Sequence, residues 1–320
     1  MALKHLGYVD LPLHVGSGGF DHAAVYQATG RVYVAHTAND AIDVIDMPTR
    51  KHVGTIDGLT AVAGALVDDA SGLVFTSNRG EDSVGIFSVS DERRVDRVGV
   101  GRKPNGLSFD PGRKRLLSAH VGDPKEPGST TVSVIDVAKR QRIADVPVAG
   151  RTRWTVYDPR ADVFHVNIAD PSQIAVVSAG DPIGIKRVVS IPQRGAHGLD
   201  IDVARRRLYC ACDDATLVEV DADTGAIVTT DRIAGAPDVV VQRRARASLH
   251  RDRQSRRDRS LRDRAAPPAR DRHDGARRPH DLIRRDAEPD RRVPAGDAPR
   301  RRLPRRLTSS EGTRARIAGS

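Results

Sequence analysis

The sequence predicts an all-β fold, a β-propeller of four-stranded blades, and three observations predict it. Short apolar strands recur with a period of roughly 42 to 47 residues, which is the spacing of propeller blades. Asp, Pro and Gly stand between the strands at positions typical of tight turns. The first 240 residues are rich in Val and Ile, which favour strands.

The repeat is clearest in the second and third strands of each copy. In the first copy, residues 30–36 are followed by 39–46 and then by 49–56. The same two strands return at 72–78 with 82–87, 115–120 with 131–136, 162–167 with 173–177, and 207–213 with 216–221. Residues 235–240 begin a sixth copy. A single blade cannot bury both of its faces, but blades stacked around an axis can.

The first copy resembles the YVTN-repeat, YncE-like propeller family. Arg31-Val-Tyr-Val-Ala-His36, followed by Val44-Ile-Asp-Met-Pro-Thr-Arg-Lys51, is similar to that family's Y-V-T-N and V-I-D-T-x-T-x-K pattern. The likeness covers about residues 19 to 240 and implies a seven-bladed propeller. This sequence departs from the family because only five complete copies are legible.

Charge divides the chain into residues 1–240, the predicted propeller, and residues 241–320. The second part contains 25 Arg, no Lys, 11 acidic residues and no aromatic residue, whereas the first part is mildly acidic. We expect the second part to be disordered because it has too little apolar surface to offset the entropy of folding. The charge of +10 therefore comes from this tail, and nucleic acid is not an expected partner.

The Arg-rich tail is interpreted as an out-of-frame translation of further repeats. Read one nucleotide later, codons for residues 248–263 can spell LYIAIGNPGVIEVFET, which has a strand, a turn and a second strand of the repeat. A native basic arm that binds nucleic acid is the competing interpretation. Residues 5–15 alternate like a single strand that would complete the last blade.

The remaining composition restricts the class of protein. No apolar run approaches the length of a membrane span, and the N-terminus has no signal-peptide pattern, so we expect a cytoplasmic protein without a membrane partner. Cys210 and Cys212 lie on one face of a strand and are interpreted as core residues. A C-x-C metal site is the alternative.

Two recurring sets of residues are candidates for a ligand site at the channel mouth. The first set comes just before each first strand and contains His22, Asn105, Trp154 and His197, with Arg153 adjacent. The second set ends each second strand and contains His36, Asn78, His120, Asn167 and Asp213. Together they predict a polar ring that binds a small polar or anionic ligand, or a metal. Turn capping is the favoured explanation of the second set, and a core position is the favoured explanation of Trp154.

Function is predicted less sharply than fold. We expect a ligand-binding or protein-interaction scaffold, because no nucleophile elbow, P-loop or H-E-x-x-H motif is present. The alternatives are a lactonase-like, metal-assisted hydrolase and a quinoprotein-dehydrogenase-type subunit. No cofactor is evident, although Asp21, His22, Asp123, Asp170 and Asp213 offer ligands for a divalent metal.

Overall fold

The computed structural model describes residues 4–235, 237–241 and 314–319, the last as backbone. These residues form 22 strands and one short 3-10 turn, Thr37–Asn39, with 20 of the strands in five four-stranded antiparallel sheets. Within the described ranges, no helix has the length and apolar character needed to cross a bilayer. The predicted all-β class and the five complete blades are therefore confirmed.

Each sheet is one blade, with its strands in chain order from the inside outward. Blade 1 contains β2 Ala23–Tyr26, β3 Arg31–His36, β4 Ala41–Asp46 and β5 Lys51–Ile56. Blade 2 contains β6 Val62–Asp68, β7 Leu73–Asn78, β8 Ser83–Ser88 and β9 Asp91–Gly99. Blade 3 contains β10 Pro104–Asp110, β11 Arg115–His120, β12 Thr131–Asp136 and β13 Gln141–Pro147. Blade 4 contains β14 Thr152–Asp158, β15 Val163–Ile168, β16 Gln173–Ser178 and β17 Ile185–Ser190. Blade 5 contains β18 Ala196–Asp202, β19 Arg207–Cys212, β20 Thr216–Asp221 and β21 Ile227–Arg232.

The apolar core lies between the faces of successive blades. Tyr33 and Val74 belong to one buried cluster that joins blades 1 and 2, and Phe75 and Leu116 belong to the next one. Two further clusters continue the series between blades 3 and 4 and between blades 4 and 5. Because each sheet buries both faces only against its neighbours, this stacking is what stabilises the fold.

Aspartates at strand ends explain the Asp residues that recur in the repeat. The carboxylate of Asp46 accepts a hydrogen bond from the backbone N–H of Thr49, and Asp68 and Asp136 accept equivalent bonds from Ser71 and Lys139. An Asp at this place orders the turn by replacing a backbone acceptor. The hydrogen bonds from Thr49 also lower the pKa of Asp46.

The two cysteines lie within the core between blades 4 and 5. Cys210 and Cys212 are both buried, with their sulfur atoms 3.9 Å apart. Their neighbours in this cluster are apolar side chains such as Leu199 and Val218. Their placement agrees with the interpretation of both as core residues.

The N-terminal strand β1, Lys4–Asp10, lies outside the five blades and pairs antiparallel with β22, Arg314–Gly319. Residues 5–15 were expected to form one strand, and the structure forms it over residues 4–10. For the predicted tail, residues 314–319 are a strand, whereas 242–313 and 320 lie outside the described residues. The disorder and the out-of-frame origin predicted for the tail stay predictions.

Candidate functional site

A β-bulge interrupts the innermost strand in four of the five blades, and in three of them the bulge carries polar side chains. The pairing of this strand with the next one shifts between Val62 and Gly64, Pro104 and Leu107, Thr152 and Thr155, and Ala196 and Gly198. The bulges of blades 3, 4 and 5 contain Asn105, Arg153 with Trp154, and His197. Bulges redirect side chains, and they are frequent beside functional sites.

These bulges help to assemble the mouth cluster, whose members come from all five blades and from the segment after blade 5. The mouth cluster contains Asp21, His22, Arg79, Asn105, Arg153, Trp154, His197, Asp213 and Asp238. The sequence placed its first set just before the innermost strands. The structure instead places Asn105, Arg153, Trp154 and His197 inside these strands, and only His22 precedes one.

One half of the mouth cluster is a chain of contacts from blade 3 to blade 1. Arg79 donates a short hydrogen bond to the Asn105 side-chain oxygen, and its Nη1 lies 3.3 Å from Asp21 Oδ2. Asp21 Oδ1 lies 3.3 Å from His22 Nε2. The imidazole of His22 then meets the indole of Trp154 edge to face, with centroids 4.4 Å apart. Blades that are distant in sequence therefore meet here.

The other half of the mouth cluster is centred on His197. Its Nδ1 lies 2.7 Å from Asp213 Oδ1, and its Nε2 lies 2.9 Å from Asp238 Oδ1. Arg153 approaches the same residues, with Nη1 3.2 Å from His197 Nε2 and Nη2 3.6 Å from Asp213 Oδ2. His197 is therefore held between two carboxylates and one guanidinium.

Burial alters the ionisation of this cluster. Burial is the main cause of the lowered pKa of His22, against the opposing effects of Asp21 and Asp238. Burial also lowers the pKa of Arg79 and of Arg153, and the charge of Arg151 lowers both further. The imidazole of His22 is consequently favoured in its neutral form, and two partly desolvated guanidinium groups stand in one region.

Six of the ten candidate residues from the sequence are brought together here. They are His22, Asn105, Arg153, Trp154, His197 and Asp213. Trp154 is half-buried and packs against the core between blades 4 and 5 as well as against His22. Its placement satisfies both the core and the ligand-contact interpretations.

The other four candidates, His36, Asn78, His120 and Asn167, are fully buried and are not members of the mouth cluster. His36 Nδ1 lies 2.7 Å from Asp43 Oδ2, and His120 Nδ1 lies 2.8 Å from the hydroxyl of Thr131. Asn78 donates to Ser83, whereas Asn167 donates to the backbone oxygens of His197 and Gly198. Hydrogen bonds of this kind are what the alternative interpretation expects, because in that interpretation the second set satisfies polar groups of the fold instead of contacting a ligand.

Sequence reasoning missed Arg79 and Asp238. Arg79 follows Asn78 directly, so the sequence could have indicated that Arg79 lies beside the end of a second strand. Asp238 follows Pro237 as Asn105 follows Pro104 at the start of blade 3. A Cβ added to Gly198 would stand 3.1 Å from the Asp238 carbonyl oxygen, and one added to Gly64 would stand 2.6 Å from that of Asn105. The segment from 237 to 241 therefore approaches blade 5 as one innermost strand approaches another.

Comparisons with known proteins assign no family to this chain. No protein-family description matches the chain, and no curated protein sequence matches it. Among solved structures, the chain is similar to the hydrazine synthase of Kuenenia stuttgartiensis at 12% sequence identity and a TM-score of 0.47. That similarity covers 71% of this chain and 91% of the other. The five stacked sheets themselves define the class, a β-propeller.

Proposed function

We propose that this propeller is a non-catalytic binding protein whose mouth cluster binds a small polar ligand that carries an anionic group. The observation that supports it most directly is the gathering of arginines. Arg79 and Arg153 are both partly buried in the cluster, and burial, together with the charge of Arg151, lowers the pKa of each. Partly desolvated cations in one place favour an anion that pairs with them.

Two further features suit a ligand of this class. Trp154 is half-buried, and the accessible part of its indole offers an apolar face against which a ligand group can pack. The carboxylates of Asp21 and Asp213 hold the two arginines and can accept hydrogen bonds from ligand hydroxyl groups. The site therefore combines a cationic group, an acceptor and an apolar face.

Calorimetric titration of the metal-free full chain tests this function. The probes are citrate, malonate and inorganic phosphate at low ionic strength, because salt screens such contacts. We expect at least one of them to bind, and Arg153→Ala and Arg79→Ala to weaken its binding by tenfold or more. Arg113→Ala is the matched control, since Arg113 pairs with Asp162 on the outer surface. Binding that is equal in all four proteins, or absent from the unmodified chain, would contradict the proposal.

A lactonase-like hydrolase is the second candidate, and one grouping of residues favours it. Asp21, His22 and Asp238 each offer a ligand atom, and a bound metal could activate water at this place. Hydrolysis of simple lactones by the full chain, with and without added zinc or calcium, is the measurement. Loss of activity in Asp238→Asn would support the hydrolase. The absence of any turnover by the unmodified chain would contradict the hydrolase and leave binding as the one proposed function.

A further inference from the structure

Three side chains of the mouth cluster have the composition and spacing of metal ligands. One atom each from Asp21, His22 and Asp238 lies within 4.8 Å of both others. Ligand atoms around a tetrahedral ion stand about 3.4 Å apart when each is about 2.1 Å from the metal. The pair Asp21 Oδ1 and His22 Nε2 already has a separation of 3.3 Å. Only the carboxylate of Asp238 has to move closer to the other two ligand atoms for all three to reach this spacing.

The two carboxylates are held by groups outside this trio. Asp21 uses its second oxygen to pair with Arg79, at 3.3 Å, which leaves Oδ1 turned toward His22. Asp238 lies 2.9 Å from His197, and His197 is itself fixed by Asp213 at 2.7 Å. Outer partners of this kind orient ligands and reduce the reorganisation that metal binding requires. Arg79 and His197 are therefore positioning residues.

Exposure and charge also favour binding. The side chain of Asp238 is 66% exposed, so its second carboxylate oxygen can accept an ion without disturbing the core, whereas His22 is 8% exposed and packs against Trp154. Two carboxylates neutralise a divalent ion, and one imidazole selects against calcium and magnesium, which prefer oxygen ligands alone. The remaining coordination position is open to water or to a ligand anion.

From this geometry we propose that Asp21, His22 and Asp238 bind one divalent first-row transition-metal ion, such as zinc, at the mouth of the propeller. The inference does not depend on anion binding, because none of the three ligands is an arginine. The ion would join the residues that lead into the first innermost strand to the segment that follows blade 5. The ion therefore links the two ends of the series of five blades.

The single tryptophan gives a direct measurement. Trp154 contacts His22, so a paramagnetic ion on His22 should quench its fluorescence. We expect cobalt(II) added to the full chain to quench this emission with one-to-one stoichiometry, and zinc(II) to reverse the quenching by competition. Calcium and magnesium should not compete. Elemental analysis after dialysis against zinc should find one zinc ion per chain.

Two ligand variants and one control decide the assignment. We expect Asp238→Ala to weaken cobalt binding by at least tenfold and His22→Ala to abolish the saturable quenching. His52→Ala, which removes a histidine of blade 1 away from the mouth, should bind as the unmodified chain does. Asp238→Ala remains decisive if His22→Ala does not fold, because Asp238 is exposed. Quenching that persists in Asp238→Ala, or competition by calcium, would overturn the proposal.

Discussion

At the scale of single residues, burial decides how the polar groups behave. His120 and Asn78 end the second strands of blades 3 and 2, and each uses a hydroxyl at the start of the next strand as a partner. Asn78 stays neutral at every pH, but His120 can gain a proton. Nε2 of His120 is buried and has no hydrogen-bond partner among the described residues. A proton on His120 would therefore be poorly solvated.

The substitution His120→Asn should remove part of the acid sensitivity of the fold. Burial lowers the pKa of His120 to about 4 from 6.5, against the weaker effect of Asp145. The unfolded chain then binds this proton between about pH 6.5 and 4 while the folded chain does not, so stability is complete above pH 6.5 and falls with pH. We expect the unmodified chain to lose about 2 kcal/mol more than the variant between pH 7.5 and 4.5.

Urea unfolding of both proteins at the two pH values measures this difference. Asn is the matched replacement because blade 2 has Asn78 at the equivalent place, beside Ser83. Parallel losses of stability in the two proteins would show that His120 does not titrate in this range.

Arg206 should be far more important to stability than a surface arginine with the same bond geometry. Arg206 is 6% exposed and forms a two-pronged pair with buried Asp158, at 2.9 and 2.6 Å. Arg206→Met leaves that carboxylate buried without its cation, which typically costs about 3 kcal/mol. Thermal or urea unfolding measures the loss.

The control for this prediction is Arg102→Met. Arg102 forms a two-pronged pair with Glu126 at 2.9 and 2.7 Å, but both side chains are nearly half exposed, and its other partner, Asp82, is 25% exposed. Solvent screens such a pair, so its removal should change the unfolding midpoint little. Equal losses in the two variants would contradict the role of burial.

At the scale of elements, glycines in the bulges let successive innermost strands approach each other. A Cβ on Gly106 would stand 2.4 Å from the carbonyl oxygen of Arg153, which is backbone and cannot rotate away. Gly64 meets β10 in the same manner, and Gly198 meets the segment 237–241. These contacts fix the spacing of the blades around the mouth cluster.

Gly106→Ala should consequently destabilise the protein and disturb the site. Overpacking of this kind costs roughly 1–3 kcal/mol, and it should also displace Arg153 and Trp154. A shift of the Trp154 emission maximum, together with a lower melting temperature, is the expected result. Gly54→Ala in β5 is the control, since nothing lies within 4 Å of its added Cβ. An unchanged melting temperature for Gly106→Ala would contradict this account.

At the scale of the whole molecule, no sixth four-stranded sheet follows blade 5 among the described residues. Blade 5 is followed by the segment 237–241, which approaches Gly198 but belongs to no sheet among the described residues. At the other end, β1 pairs with β22, and Val9 and Leu11 pack beside Ile45 of blade 1. The predicted sixth and seventh blades would continue from residue 241 if the reading frame were restored.

Frame restoration should give a more stable protein. Added blades would cover the outer face of blade 5, which otherwise leaves apolar surface and strand edges without a partner blade. We expect a single-base change near codon 241 to extend the repeat, and the restored chain to melt at a higher temperature and to elute as a monomer. Comparison of both chains by melting and size-exclusion chromatography is the test. A nucleotide sequence in which no such change restores the repeat would refute the out-of-frame interpretation.

The sequence by itself determined the class of fold, the blade boundaries and the candidates of the first set. These follow from local signals: alternation along strands, turn residues such as Asp46 and Gly72, and a repeat whose period is short. Only the tertiary structure decided which polar residues meet. His36 and His120 were candidates of the second set, yet the structure buries them inside their blades. Arg79 and Asp238 joined the mouth cluster through bulges and blade stacking, because contacts between residues this far apart in sequence depend on packing that no local pattern records.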